Sequence, residues 1–293
     1  MSQTSAAAPG SEGPAPGAPL GPGSLLWGIA SDWRSGLSGL SAGILQLCWP
    51  HLGLGVEQHS AFFTEPWDRI HRSVPQIWAT IFAEDADQRG RTIRDYHRDI
   101  KGTDRHGERY HALDPDTFWW AHATFTWEMF RTVEEWDHRT LSPQHREQLY
   151  QETVTWYRRY GVSDRPVPAD VRTFESRWDH ICRYELELTP TAERAIDMAL
   201  HERVAPPGMP GVVAAVATPV LKTLAIGGLP RIVRQRFGIP WSTADELTLL
   251  AVRQAVRDAG RVVPHRLTRG PYLRSIKRMK HIAAPRPAVA VAS

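Results

Sequence analysis

Cysteine is nearly absent from this 293-residue chain, with Cys48 and Cys182 the only two. That excludes a disulfide scaffold, a Cys-rich zinc site, an iron–sulfur cluster and covalent haem attachment through C-x-x-C-H. A reducing, cytoplasmic setting is the expectation. A large excess of one charge is also missing. Lys and Arg number 35 against 32 Asp and Glu, a formal net charge of +3, and the signs are mixed along the chain rather than blocked. No basic stripe accompanies a recognisable module, so no nucleic-acid partner is expected. The most apolar stretch, Gly211 to Pro230, is interrupted by Pro219, Lys222 and the Gly227-Gly228 pair. It reads as a core helix or a surface in peripheral membrane contact, not as a span. There is no P-loop, H-E-x-x-H, G-x-S-x-G or G-x-G-x-x-G, which removes most kinase, hydrolase and dehydrogenase readings. Glu135 and His138 form one E-x-x-H unit, and Trp178-Asp-His180 lacks the Glu of a second, so a di-iron bundle is not built.

What is present is a globular composition with 12 Trp and 42% hydrophobic residues, enough for a substantial core. Residues 1–23 are an Ala/Pro/Gly/Ser tract without the basic start and apolar core of a signal peptide. They, and residues 282–293, are expected to be disordered tails. Between them, residues 24–281 read as one all-α domain. Apolar residues recur at helical spacing and alternation is scarce. Asp114-Pro115, Ser142-Pro143 and Thr189-Pro190 each put a capping residue before Pro at a helix start. Ser242 with Asp245 is a capping-box pattern, and Gly102 and Gly161 stand where helix ends want a left-handed residue. About ten helices are expected.

Two histidines fall on apolar faces. The segment Asp85 to Gly102 reads as a charged helix with a narrow stripe of Ile93, Tyr96 and Ile100, and His97 lies inside that stripe. His122 shares a face with Phe118, Phe125 and Met129. A neutral imidazole turned inward is either a metal or haem ligand or a core histidine satisfied by a carbonyl. A third feature lies in the helix from Glu65 to Phe82, which turns Ile70, Val74, Ile77 and Ile81 inward. Arg69, Arg72 and Ser73 sit three and four residues apart beside that stripe. Two guanidinium groups with a hydroxyl suit a carboxylate or a developing oxyanion; the plainer reading is a solvated basic flank. Pro75 is expected to disturb the helix just behind them.

The order of segments then resembles a known family. It runs Trp49-Pro-His51, Gly55 to Ser60, Glu65 to Arg69, Arg72-Ser73, Tyr96-His97, Lys101-Gly102, Tyr110 to Pro115, Trp120-Ala-His122-Ala-Thr124, Leu186 to Thr191 and Gly238 to Trp241. Joint order and spacing resemble the MpaB / rubber-oxygenase catalytic-domain family, which includes the latex clearing proteins. The resemblance implies an all-α domain with non-covalent haem b, using O2 on a hydrophobic, isoprenoid or secondary-metabolite small-molecule substrate. An Arg-x-x-Lys-Thr run lies over the haem in the rubber enzymes, and a downstream His is the proximal ligand. These map onto Arg69, Arg72 and Ser73 as catalytic residues and His97 as the haem-iron ligand, with Arg69 and His122 also near the cofactor. Arg72 in place of Lys cannot supply a neutral nitrogen to iron, so it is expected to polarise oxygen or bind a substrate oxygen. Ser73 keeps the hydroxyl of Thr, and Glu57 is a candidate for the family's acidic residue. The alternatives are a non-catalytic haem- or lipid-binding protein, and a non-haem metal enzyme using His97, His122, Glu135 and His138.

Overall fold

Each helix start that the sequence marks is realised atom by atom. The computed structural model describes residues 20–60, 62–64, 66–201, 211–263 and 267, the side chains of 211–217 excepted. Most of both expected tails lies outside the described residues; Leu20 is buried in the core. Asp114 accepts from the amides of Asp116 and Thr117 at 3.1 Å each, ahead of Pro115. Ser142 accepts from the His145 amide ahead of Pro143, and Thr189 from the Ala192 amide ahead of Pro190. Ser242 and Asp245 close a reciprocal capping box. Such caps are worth about 1 kcal/mol each, which is why these boundaries are legible.

The described residues form twelve α-helices. They are Leu25–Ala30 (α1), Gly39–Leu47 (α2), Pro50–His59 (α3), Pro66–Phe82 (α4), Ala86–Asp95 (α5) and Pro115–Trp136 (α6). Pro143–Arg158 (α7), Val171–His180 (α8), Pro190–His201 (α9), Gly211–Gly227 (α10), Arg231–Arg236 (α11) and Thr243–Val262 (α12) follow. A 3₁₀ turn, Trp33–Ser38, precedes α2, and a π turn, Ile181–Glu185, ends α8. Pro75 lies inside α4, which runs through it unbroken, so the expected disturbance does not end the helix. Among the described residues the fold is all-α apart from one short ribbon of two strands.

The central helix is α6, with fifteen of its 22 residues buried, so it is apolar on more than one face. Helices α1, α2, α7 and α12 and the 3₁₀ turn pack around it, while α4 and α5 pair with each other and α4 meets α1. Arg34, only 2% exposed, ties the 3₁₀ turn to the end of α6. It forks onto Asp32 at 2.9 Å twice and reaches Asp137 at 3.2 Å. Helix α10 buries Leu224, Ala225 and Ile226 against the body. Among the described residues no helix is long and apolar enough to cross a membrane.

One acid on α6 has no cation paired with it among the described residues. Glu128 is 3% exposed, and burial alone pushes its carboxyl up to about 8. Burial pushes the His122 imidazole the other way, down to about 4. The folded chain therefore keeps a Glu128 proton that the unfolded chain releases above its ordinary 4.5, and stability falls as pH rises toward 8. His122 contributes stability that is lost as pH falls from 6.5 toward 4. The two slopes oppose each other below 6.5, leaving a net decline between 6.5 and about 8. Glu128→Gln is expected to abolish that decline and raise stability at pH 8 on the order of 3 kcal/mol. Urea unfolding at a series of pH values measures it; an unchanged slope contradicts the assignment.

Candidate active site around His97

The stripe through residues 85–102 predicts one helix, but α5 stops at Asp95 and the chain turns from Tyr96 to Asp99. The cause lies in the hydrogen bonds. The His97 amide donates to Arg94 O at 2.9 Å and the Ile100 amide to His97 O at 3.3 Å, the tighter three-residue pattern. Ile93 O, which the His97 amide would take in a continuing helix, receives His97 Nδ1–H at 2.8 Å instead. The imidazole still faces inward, its ring edge-on to Phe118 with centroids 5.7 Å apart. Tyr96, expected in the stripe, is exposed.

After the turn come two strands that the sequence reading did not anticipate. Lys101–Thr103 (β1) pairs antiparallel with Arg109–His111 (β2), Lys101 opposite His111. Gly102 is thus a strand residue and not a helix end. Glycine gives the ribbon room here, since a Cβ would lie 2.7 Å from Gln58 Oε1 and 2.8 Å from the Tyr110 ring, and one of them would have to shift. Gly161 does take the left-handed φ expected of it, 64°. The ribbon is fastened to the His97 turn by the Ala112 amide on Ile100 O and His111 Nε2–H on Arg98 O.

Burial holds the His97 pKa below its ordinary value, the bond to Ile93 O opposes this, and the charge of Arg69 adds to the lowering. The ring is therefore neutral at pH 7. With Nδ1–H on a carbonyl its lone pair is on Nε2, which makes no hydrogen bond among the described residues. Arg69 is half-buried on α4 with its guanidinium 5.7 Å from the Phe62 ring. Burial first and Arg72 second lower its pKa, and no carboxylate pairs with it among the described residues.

The Arg-x-x-Arg-Ser run is divided between two degrees of burial. At about 100° per residue, position 73 falls roughly 40° to one side of 69 and position 72 roughly 60° to the other. Ser73 is accordingly half-buried with Arg69, whereas Arg72 is exposed and paired with Asp68 at 2.8 Å. Glu57 is exposed on α3.

His122 is a core residue. Its Nε2–H donates to Thr153 O at 2.9 Å, and Trp156, Tyr157 and Tyr160 surround the ring. Its buried Nδ1 has no protein partner among the described residues, and the residue also lines a cavity of about 10 Å³, about the room one water needs. Phe118 touches His97, Tyr157 and Tyr160, so His122 supports the wall behind His97. The sequence reading missed Tyr157, near the end of α7, and Tyr160, just beyond it. The alternative metal set is not assembled. Glu135 is held by Arg131 at 2.5 Å and Arg253 at 2.8 Å, and His138 pairs with Asp137. Among the described residues no three His, Cys, Asp or Glu side chains gather into a metal site.

A larger cavity of about 550 Å³ lies beside the ribbon, lined by His51, Lys101, Arg109, Tyr110 and Leu113 among others. Neither His97 nor Arg69 lines it. The ribbon nevertheless holds the His97 turn, and its tightest point is Gly102. Gly102→Ala is expected to cost about 1–3 kcal/mol by overpacking against Gln58 and Tyr110. Thermal unfolding reads the cost, and faster amide exchange at Ile100 and Ala112 would localise it. A wild-type melting temperature would show that the contact yields freely.

Comparison with known proteins bears on the whole of this architecture. Searches among curated proteins and solved structures gave no match. Residues 27–258, α1 through most of α12, match the family described as ER-bound oxygenase mpaB/B'/Rubber oxygenase, catalytic domain. The match takes in α4, the His97 turn and α6 together, and the chain belongs to this family of oxygenase catalytic domains.

Proposed function

We propose that the chain is a haem b-dependent oxygenase that uses dioxygen on a hydrophobic, isoprenoid- or secondary-metabolite-like substrate. The observation that carries the reading is the fixed tautomer of His97. A ligating histidine needs its other ring nitrogen held by a carbonyl or carboxylate, and Nδ1–H is held by Ile93 O at 2.8 Å. The residues present therefore fit a haem. His97 would hold it through Nε2, without a thioether link, as the lack of C-x-x-C-H requires. The haem supplies redox chemistry with dioxygen that side chains lack.

The rest is done by the chain's own groups. Arg69 sets an unneutralised charge within electrostatic reach of His97, suited to an anionic or oxygen-bearing group beside it. Ser73 adds a hydroxyl on the same flank. Phe118 packs edge-on against the neutral imidazole, and Phe62 lies against the Arg69 guanidinium. Arg72, already paired and exposed, stands outside this machinery.

Absorption spectra of purified protein with and without dithionite test the reading, together with iron and porphyrin content. The expected result is a Soret band that shifts on reduction. His97→Ala is expected to lose haem retention. Arg69→Ala is expected to retain haem while oxygen-dependent turnover falls about 100-fold. Arg72→Ala should retain both. Protein that stays colourless after hemin is supplied, or a His97→Ala variant with an unaltered spectrum, overturns the proposal.

A further inference from the structure

The cavity of about 550 Å³ beside the ribbon has a lining of definite chemistry. Lys101 stands opposite His111, and Thr103 opposite Arg109. Alternate residues of a strand share a face, so these four side chains stand on one side of the ribbon, with Gly102 and Tyr110 on the other. Lys101 and Arg109 thus share a face on strands only three residues long, where like charges repel. Both are exposed, and neither has a carboxylate partner among the described residues. Asp104 and Glu108, the acids of the connecting turn, do not line the cavity.

The remaining lining groups are either engaged or apolar. His111 has both ring nitrogens occupied, with Arg98 O at 3.0 Å and with the Leu113 amide at 3.0 Å. Asp114, the one carboxylate of the lining among the described residues, caps α6 through the amides of Asp116 and Thr117. Tyr110 is 4% exposed, and its hydroxyl donates to Gln58 Oε1 at 2.7 Å. Its ring is nearly parallel to that of His51 on α3, with centroids 6.0 Å apart. Leu113 adds an aliphatic side chain. What this leaves to a ligand is two unneutralised cations, the Thr103 hydroxyl and a wall of Tyr110, His51 and Leu113.

We infer that this cavity binds an organic anion, a carboxylate or phosphate ester carried on an apolar body. A volume of about 550 Å³ is within the range of small-molecule pockets. Lys101 supplies a point charge to the anionic group, and Arg109 a fork that can meet two of its oxygens. The apolar body covers the ring and aliphatic wall. An inorganic ion would engage the cations and leave that wall in water, whereas a neutral apolar compound would leave two like charges unanswered. Neither His97 nor Arg69 lines the cavity, so the inference stands apart from the haem reading.

The test is isothermal titration calorimetry of the purified chain with naphthoate, naphthyl phosphate, neutral naphthol and inorganic phosphate. At least one naphthyl anion is expected to bind at least about tenfold more tightly than both naphthol and inorganic phosphate, and the preferred anion identifies the head group. Lys101→Gln/Arg109→Gln should weaken that binding at least about tenfold, with circular dichroism as the check on folding. Arg172→Gln, at an exposed cation of α8 outside the cavity, should leave it unchanged. Raising salt from about 0.05 to about 0.5 M should weaken binding to the wild type, a readout that needs no variant. Saturation with the probe should leave the absorption spectrum as it was. Failure of both naphthyl anions to bind, equal binding of naphthol or inorganic phosphate, or a double variant that binds like the wild type overturns the inference. Haem displaced by the probe assigns the cavity to the cofactor and overturns it as well, whereas a colourless protein that binds the probe refutes the haem reading alone.

Discussion

A helix buried on most of its circumference must satisfy its polar groups against its neighbours, and α6 is such a helix. Thr117 takes the Trp49 indole N–H, Thr124 takes the Gln46 amide, and Trp120 donates to Leu45 O. His122 donates to Thr153 O, and Arg131 to Gly228 O and Glu135. These bonds run to α2, to α7, to the start of α3 and to the end of α10. Satisfying α6 therefore also fixes the register of its neighbours. Glu128 is settled differently, by keeping its proton. The site inherits this rigidity, because the ring that His97 rests on, Phe118, belongs to the first turns of α6.

What could be read from the sequence was decided locally. The four capped helix starts depend on residues three apart or fewer, so Asp114, Ser142, Thr189 and Ser242 announced themselves. The family was legible because a long ordered series of short fragments constrains more than any one of them. The ribbon was not, since three-residue strands are too short for alternation to register. Its one local sign was Asp104, whose side chain accepts from the amides of His106 and Glu108 across the turn. Arg72 was read with Arg69 and Ser73 because the three are close in sequence. Its pairing with Asp68 separates it from them, and that partner lay on the other side of the run.

His97 shows a correct inward placement resting on an incorrect helix. The stripe of Ile93 and Ile100 holds whether the chain continues as a helix or tightens into a turn, since both residues remain half-buried. Periodicity alone could not distinguish the two. The difference matters chemically. In a continued helix Ile93 O accepts the backbone amide of residue 97, and the imidazole must find another partner. Ending the helix at Asp95 redirects that amide to Arg94 O and frees Ile93 O for the ring. One helical hydrogen bond, worth about 1 kcal/mol net, is exchanged for a side-chain bond of similar worth. The helix end and the tautomer of His97 are therefore one event.

The comparison with His122 completes the argument. Both histidines are neutral and each donates one ring N–H to a backbone carbonyl. They choose opposite nitrogens. His122 spends Nε2 on Thr153 O and leaves Nδ1 buried without a protein partner among the described residues. His97 spends Nδ1 and leaves Nε2, the nitrogen that projects away from the main chain, without a protein partner among the described residues. Between the two inward histidines, hydrogen bonding to the backbone thus decides which ring nitrogen keeps the free lone pair.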